Sequence, residues 1–218
     1  MRVYVMVGAP GAGKGTQAKL LAERLGLLHL ASGDLLREAV EAATPLGRQA
    51  DEYMKRGALV PDEVVIRLIL ERLARPDAAE GVILDGFPRT RPQAEALDAA
   101  LLRRGARVTA ALYVDVPREE LFRRLSGRWL CRAEGHPYHE TERPPAVPGV
   151  CDIDGSELYQ RDDDRPETIS ARLEKQLPPM FEVADHYTEA GVLYSIRGEG
   201  SIEQVTEALM RAIAQPAR

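Results

Sequence analysis

Short apolar runs recur along the chain, and stretches in which apolar residues return at helical spacing separate most of them. Five such runs cover residues 3–7, 28–31, 82–85, 110–116 and 192–196. Runs of this length predict buried strands, and the periodic stretches predict helices. Strands that alternate with helices in this way predict an α/β fold with three layers, in which helices cover both faces of a five-stranded parallel sheet.

The helical spacing also predicts where helices cluster. The predicted helices cover residues 17–25, 35–40, 46–56, 62–73, 93–104, 117–125 and 202–213. Ser32 or Asp34 is the predicted cap of the second helix, and Pro61 and Pro117 stand where later helices begin. The second, third and fourth helices follow one another without a strand, which predicts a small helical subdomain beside the sheet.

Residues 127–164 break this rhythm, because proline and glycine are frequent and the apolar alternations are short. Such a segment predicts a small β-rich insertion rather than a helix. Trp129, Tyr138 and Tyr159 offer apolar surface for packing, so we expect a folded lid, with a disordered linker as the alternative.

A glycine-rich loop between the first strand and the first helix carries the clearest chemical signal. Gly8, Gly13 and Lys14 match the pattern G-x-x-x-x-G-K, but Gly15 follows the lysine, and the hydroxyl comes one place later, at Thr16. Glycines let backbone N–H groups approach phosphate oxygens, a helix start attracts anions, and the lysine adds a positive charge. The loop therefore predicts binding of a nucleoside triphosphate; the alternative is an ordinary turn.

Composition limits the classes of function. The 218 residues are 44% hydrophobic and 29% charged, as in a globular domain, and the net charge of −5 argues against a nucleic-acid or anionic-membrane protein. No apolar signal segment begins the chain and no run has the length of a membrane span, so we expect a cytoplasmic protein. Cys131 and Cys151 are too few for a disulfide framework and are expected to be reduced there.

Chemistry-bearing residues gather where predicted strands end, and parallel α/β sheets bind ligands at the carboxyl ends of their strands. The segments are residues 8–16, 32–34 and 85–89. Asp85 follows an apolar run and is expected to hold Mg²⁺ through water, with Asp34 also within reach. The alternative for each is a turn or capping carboxylate.

Arginine suits a polyphosphate site because its planar group keeps its charge and donates parallel hydrogen bonds. Any single arginine is more often a solvated surface charge, but five stand at predicted strand ends or lid borders. They are Arg37, Arg89, Arg128, Arg161 and Arg172. An acceptor that is itself a phosphate is already deprotonated, so the reaction would need no general base.

Together these motifs resemble the bacterial adenylate kinases of the long-lid type, within the nucleoside monophosphate kinases. The matching stretches run in family order over nearly the whole chain, at residues 8–17, 32–37, 59–62, 84–90, 127–128 and 161–164. The resemblance implies a P-loop NTPase-type fold and a single domain, 1–218. Its core would be 1–30, 61–126 and 165–218, its helical AMP-binding subdomain 31–60 and its lid 127–164. It also implies that a monomer transfers a phosphoryl group reversibly from MgATP to AMP, giving two ADP.

The resemblance assigns roles to the residues that match the family's motifs. The expected catalytic residues are Lys14, Arg89, Arg128, Arg161 and Arg172. Those expected to bind ATP are Gly11, Ala12, Gly13, Lys14, Gly15, Thr16, Arg124, Arg128, Pro137, Tyr138 and Gly200. Those expected to bind AMP are Ser32, Arg37, Ala58, Leu59, Val60, Gly86, Phe87, Pro88, Arg89, Gln93, Arg161 and Arg172. The amide of Gln93 is expected to meet the adenine edge, which favours AMP over pyrimidine nucleotides.

The lid departs from the pattern of Gram-positive relatives, which hold zinc there with four cysteines or with three cysteines and an aspartate. The matching positions are Cys131, Glu134, Cys151 and Asp154, with His136 as an alternative to Glu134. Two thiolates and two carboxylates can complete a tetrahedron, but a carboxylate-rich zinc site is uncommon. The alternative is a lid free of metal and held by hydrogen bonds among the same side chains; a disulfide between the two cysteines is a third option, which a reducing cytosol disfavours.

Two other functions stay open at this point. The long insertion and Gln93 argue against a kinase specific for UMP or CMP. A GTPase-type switch is disfavoured because the chain lacks an Asn-Lys-x-Asp or Thr-Lys-x-Asp segment for guanine.

Overall fold

A computed structural model describes residues 1–55, 59–161 and 164–214. Over these ranges the strands are β1 (Arg2–Val7), β2 (Leu28–Ala31), β3 (Gly81–Asp85), β4 (Ala110–Asp115), β5 (Arg128–Cys131), β6 (Pro137–His139), β7 (Leu158–Tyr159) and β8 (Leu193–Arg197). The helices are α1 (Lys14–Leu25), α2 (Ser32–Glu41), α3 (Pro45–Lys55), α4 (Asp62–Leu73), α5 (Arg91–Leu102), α6 (Arg118–Ser126), α7 (Pro166–Glu189) and α8 (Ile202–Ala214), with a short 3₁₀ helix at Pro76–Ala78.

Five parallel strands form the central sheet, in the order β2-β3-β1-β4-β8. β1 lies in the middle, where Val3 and Val5 are fully buried, and α1 and α7 both pack on the sheet. Parallel strands are buried in this way because crossover helices cover them, which is why they appear in the sequence as continuous apolar runs. The predicted three-layer α/β fold is therefore confirmed.

The strand order brings three functional segments to one edge of the sheet. Asp85, the last residue of β3, is the register partner of both Met6 on β1 and Ala31 on β2. The glycine loop after β1, the start of α2 and the turn after β3 therefore begin side by side.

Three helices, α2, α3 and α4, lie between β2 and β3, as the spacing predicts. The predicted cap of α2 is wrong, however, because the helix begins at Ser32 and Ala31 occupies the capping position without a side-chain hydrogen bond. Ser32 instead donates its hydroxyl to the carbonyl of Gly86 at 2.7 Å. The side chain that the sequence suggested for a cap thus joins the ends of β2 and β3.

One long element has no counterpart among the predicted helices. α7 runs for 24 residues with Pro178 and Pro179 inside it. Consecutive prolines disfavour a helix interior, because each lacks an N–H group and clashes with the preceding turn. Buried contacts from Ile169, Leu173 and Val183 stabilise this helix on the core, so tertiary packing outweighs the local preference.

The insertion at 127–164 is folded where it is described. β5 pairs antiparallel with β6 on one side and with β7 on the other. Its small core consists of Cys131, Tyr138, Cys151 and Leu158, with Trp129 packed against it.

None of the helices in the described ranges combines the length and the apolar character that crossing a bilayer requires.

Candidate active site

A cleft of about 1420 Å³ opens at the carboxyl ends of the strands, between the central sheet, the helices α2 to α4 and the insertion. A pocket for one small ligand has a volume of roughly 300–1,000 Å³, so this cleft has room for two. The residues predicted to contact nucleotide or magnesium that line it are Gly11, Gly13, Lys14, Gly15, Thr16, Ser32, Asp34, Arg37, Leu59, Val60, Asp85, Gly86, Pro88, Arg89, Gln93, Arg124, Arg128, Pro137, Arg161 and Arg172, and the metal-ligand candidates Cys131, Glu134 and His136 also line it.

The glycine loop turns sharply into α1. Gly13 has φ +90°, a left-handed conformation that side chains disfavour, and α1 begins at the next residue. The ammonium group of Lys14 donates to the carbonyl of Ala9 at 2.8 Å. This folds the lysine back over its own loop, so its charge and the free N–H groups of the helix start face the same space.

The environment of Lys14 lowers its affinity for a proton. The pKa of Lys14 is lowered to about 8, chiefly by burial; Asp85 acts in the opposite direction, and the cations Arg89, Arg172 and Arg128 add to the lowering. Four positive groups therefore converge near Lys14, and an anionic ligand would relieve the repulsion among them.

Asp85 lies where the glycine loop comes closest to β3. A Cβ on Gly15 would stand 3.2 Å from its Oδ2, so the glycine that departs from the strict phosphate-loop pattern leaves room for this carboxylate. Burial raises the pKa of Asp85, but His29, Lys14 and Arg89 outweigh it and hold the pKa below its usual value. The imidazole Nε2 of His29 lies 3.7 Å from Oδ2. Asp85 is thus an ionised carboxylate facing the cleft.

A second group of polar contacts surrounds the turn after β3. Gly86 has φ +71°, and a Cβ there would lie within 2.9 Å of both Ser32 Oγ and Arg89 Nη2. The carbonyl of Gly86 accepts from Ser32 and, at 2.7 Å, from the Nε of Arg89. Nearby, Arg37 pairs with Asp34 one turn earlier on α2. A glycine at position 86 therefore lets a serine and an arginine converge on one backbone turn.

Gln93 is 3% exposed and lies at the base of this second region. Its Oε1 accepts from the backbone N–H of Arg89 at 2.7 Å, and its Nε2 donates to Asp62 Oδ1 at 2.7 Å. The other oxygen of Asp62 accepts from the hydroxyl of Thr90 at 2.8 Å. The Gln93 amide, which is predicted to contact the base, therefore has a hydrogen bond to the protein at its oxygen and another at its nitrogen.

A buried carboxylate joins two of the predicted arginines. Asp164 is fully buried and accepts from Nε and Nη2 of Arg128 at 2.6 to 2.8 Å. Nη1 of Arg172, from α7, donates to the same carboxylate at 2.8 Å. Asp164 thus ties the first strand of the insertion to the core helix that follows it and holds both guanidinium groups at the cleft.

On the far side of the glycine loop, Arg124 bridges α6 and the loop after β8. Its Nη2 donates to the carbonyl of Gly198 at 2.8 Å and its Nε to Glu120 at 2.6 Å. Ile202, which begins α8, is 45% exposed and lines the cleft. Gly200 does not line the cleft, whereas Arg124 and Ile202, beside the loop after β8, do.

Other predicted ATP-binding and AMP-binding residues lie away from the surface of the cleft. Ala12, Phe87 and Tyr138 are buried, and the hydroxyl of Tyr138 contacts Cys151 Sγ at 3.4 Å inside the insertion. Their side chains are taken up by packing, so a binding role would fall to their backbone groups. The predicted AMP contact Ala58 lies outside the described residues.

Four side chains in the insertion come together as a compact donor group. They are Cys131, His136, Cys151 and Asp154, whose ligand atoms lie within 4.8 Å of one another. Glu134, the fourth ligand expected from spacing, is not among them; its backbone N–H donates to Cys131 Sγ at 3.4 Å instead. His136 takes its place because its Nδ1 points to the thiol at 3.3 Å. The two cysteines are not joined by a disulfide.

Sequence reasoning missed several residues of this site, namely His29, Asp62, Asp164 and Ile202. Asp62 and Asp164 fall within recognised motifs, but their partners lie on other elements. His29 belongs to no motif. Ile202 was predicted only as the start of a helix.

A family model described as adenylate kinase matches residues 6–192 of the chain. The chain is 48% identical over 213 residues to the adenylate kinase of Carboxydothermus hydrogenoformans, covering 98% of this chain and 99% of the relative. It is 47% identical over 211 residues to that of Methanothrix thermoacetophila, with 97% and 98% covered. It is also 47% identical over 201 residues to that of Listeria monocytogenes serotype 4b, with 92% and 94% covered. These matches extend over the cleft and the insertion alike.

Proposed function

The chain belongs to the adenylate kinase family, and we propose that its cleft binds ATP at the glycine loop and AMP beside Arg89. The reaction is reversible phosphoryl transfer from MgATP to AMP, which gives two ADP. One observation supports this placement above the others, the convergence of Lys14, Arg89, Arg128 and Arg172 on one cleft large enough for two ligands.

The four cations explain how two polyphosphates could lie end to end. Their mutual repulsion, which adds to the effect of burial in lowering the pKa of Lys14, falls when phosphate oxygens come between them. Arg128 and Arg172 are both held by Asp164, Arg89 is held by the carbonyl of Gly86, and all three line the cleft, so the group in transfer would lie among them. Charge that spreads over the equatorial oxygens in the transition state then meets donors already in position.

The residues fit a magnesium ion carried in with ATP, because Asp85 is ionised, faces the cleft and has no side chain at Gly15 to crowd it. Asp85 would hold the ion through water, and the ion would neutralise phosphate oxygens. No general base is needed, because the phosphate of AMP is already ionised at neutral pH. What remains for the protein is to align the two phosphates and neutralise their charge.

Water must be kept from the phosphoryl group during transfer. We propose that residues 31–60 close over AMP and residues 127–164 close over ATP, while the rest of the chain stays as the core. The insertion reaches the core at Lys19, whose ammonium group donates to the carbonyl of Glu134 at 3.4 Å. Closure of this kind expels solvent and completes the arginine set. Both sites come from one chain, which supports a monomer, and reduced cysteines fit a cytoplasmic setting.

ADP formation from ATP with AMP, UMP, CMP or GMP, with and without Mg²⁺, tests the function. We expect strong turnover only with AMP and Mg²⁺. Best turnover with UMP or CMP would overturn the choice of acceptor, and ATP binding without transfer to any acceptor would overturn the reaction itself.

We further propose that the insertion holds one zinc ion through Cys131, His136, Cys151 and Asp154. The zinc–ligand distances of such sites imply separations of about 3.3–3.8 Å between neighbouring ligand atoms in a tetrahedron. Cys131 Sγ lies 3.3 Å from His136 Nδ1, which lies 3.5 Å from Cys151 Sγ. Asp154 Oδ2 lies 3.2 Å from Cys131 Sγ. Backbone N–H groups of Glu134 and His136 donate to the Cys131 sulfur and hold it in place among the other three ligands.

Purified protein should contain about one zinc ion per chain, and strong chelation should lower the thermal unfolding midpoint by several degrees. His136→Ala should lose the ion, whereas Glu134→Gln should keep it. The zinc content of these two variants shows whether His136 or Glu134 is the fourth ligand. Full stability after complete zinc removal would instead favour a lid held by hydrogen bonds alone.

A further inference from the structure

The orientation of the Gln93 amide is determined by its two partners. The backbone N–H of Arg89 can only donate, so it requires the oxygen of the amide, at 2.7 Å. The carboxylate of Asp62 accepts from the amide nitrogen at 2.7 Å. A rotation of the amide by 180° would place nitrogen against the N–H group and oxygen against the carboxylate. Both contacts would then be repulsive, so one orientation is enforced.

Asp62 is itself held in place for this task. It is the first residue of α4, where the helix dipole favours a negative charge. Its second oxygen accepts from the hydroxyl of Thr90 at 2.8 Å. Thr90 caps α5, the helix that carries Gln93. The carboxylate therefore connects two helices and cannot turn away from the amide without leaving a buried donor unpaired.

An amide in a fixed orientation can tell purines apart. With one bond made at each end, the Gln93 amide keeps one N–H donor and one oxygen lone pair. Adenine offers an amino donor at position 6 and an acceptor at N1, whereas guanine offers a carbonyl acceptor and an N–H donor at those positions. The two bases therefore need opposite orientations of the amide.

We propose that Asp62 is a specificity-determining positioning residue, which holds the Gln93 amide in the orientation that accepts adenine and rejects guanine. This rests on the proposed function, in which Gln93 meets the base of the acceptor nucleotide. Asp62 does not touch the nucleotide in this assignment. It acts by excluding the orientation that a 6-oxopurine would require.

The test compares Asp62→Asn with the unchanged protein in kcat/KM for AMP and for GMP at saturating ATP. Asparagine can donate or accept, so it no longer fixes the orientation of Gln93: either its oxygen accepts from the Gln93 amide nitrogen, or its nitrogen donates to the Gln93 oxygen while its own oxygen accepts from Thr90. Only the N–H of Arg89 then still favours the original orientation. We expect the AMP to GMP preference to fall roughly 5- to 100-fold, which is the discrimination of one good amide–base pair. A preference within twofold of the original would overturn the proposal. Both substrates are measured on the same sample, so the fraction of active protein cancels from the ratio.

Two controls separate this role from a structural one. Asp77→Asn breaks the surface pair with Arg72 near the other end of α4 and should leave the ratio unchanged. Asp62→Ser, which keeps a good helix-start residue, should lower the preference as Asp62→Asn does and replaces it if the asparagine variant does not fold. The KM for ATP should stay within about twofold in all of them, since an effect of the same size on ATP would indicate general damage.

Gln93→Leu separates the role of Gln93 from that of Asp62. If removing the amide leaves the AMP to GMP ratio unchanged, the assignment of Gln93 to the base fails, and the role of Asp62 fails with it. If Gln93→Leu lowers the ratio but Asp62→Asn does not, only the role of Asp62 is overturned. If both lower it, Asp62→Asn should have no further effect in the Gln93→Leu background, because Asp62 acts through that amide.

Discussion

Lys14→Met is expected to reduce turnover by about 100- to 1,000-fold, the loss typical when one pre-positioned donor to developing charge is removed. Methionine has a similar length and no charge, and the hydrogen bond that is lost joins the ammonium group to the carbonyl of Ala9 within the same loop. The thermal unfolding midpoint should therefore change little. Steady-state ADP formation and a melting curve measure the two effects, and Lys175→Met, an exposed lysine on α7, is the matched control.

The lowered pKa of Lys14 also predicts that anion binding depends on pH, and Lys14→Met can test this prediction. Because its pKa is lowered to about 8, Lys14 is a cation below that pH and loses its charge above it. The affinity of the ligand-free protein for inorganic tripolyphosphate should therefore fall as the pH rises through about 8. Lys14→Met should bind more weakly and lack this step. Near-normal turnover in Lys14→Met would contradict the placement of the lysine in the reaction.

Asp164→Asn is expected to cost about 3–5 kcal/mol of unfolding free energy, because it removes the buried negative charge that two largely buried arginines share. The remaining amide can still accept one hydrogen bond, so the lower end of this range is the expectation. Turnover should fall as well, since Arg128 and Arg172 lose the contact that holds them at the cleft. Chemical denaturation and ADP formation measure the two changes.

The effect of tripolyphosphate on the unfolding midpoint tests more directly whether Asp164 acts on the phosphate site. In the unchanged protein the two arginines share the Asp164 carboxylate, whereas in Asp164→Asn a bound polyphosphate replaces the negative charge that was removed. The ligand should therefore raise the unfolding midpoint of Asp164→Asn by more than it raises that of the unchanged protein. Asp185→Asn, an exposed aspartate on α7, should behave like the unchanged protein in both respects. An equal shift in all three proteins would show that Asp164 does not act on the phosphate site.

Local sequence patterns were enough to predict a structural element wherever the physical cause of that element lies in neighbouring residues. The strands β1, β3 and β4 appear as apolar runs because they are buried over most of their length, and the edge strands β2 and β8 are recognisable as shorter apolar runs with one buried residue each. The glycine loop is recognisable because its turn needs φ values that glycine permits. The β-rich insertion could be predicted because its prolines and glycines exclude a helix while its aromatic residues offer something to bury. The arginines around the cleft could be predicted from their positions at predicted strand ends and at the borders of the insertion.

The choice between neighbouring donors in the insertion needed the folded chain. Spacing favours Glu134, three residues after Cys131, but the backbone N–H groups of residues 134 and 136 both turn towards the sulfur. This places the imidazole of His136, not the carboxylate, beside the thiol. The direction of a side chain in a short turn depends on backbone geometry that residue spacing does not contain.

By itself the sequence determined the five sheet strands, the helices other than α7, the phosphate loop, the insertion and the family resemblance, because these depend on burial periodicity and on contiguous motifs. Only the tertiary structure decided that α7 passes unbroken through Pro178 and Pro179, that Asp164 joins Arg128 to Arg172, and that Asp62 holds Gln93. Asp62 lies 31 residues from Gln93 and Asp164 lies 36 from Arg128. Such partners meet only when the sheet and helices have packed, so no local sequence pattern could predict these contacts.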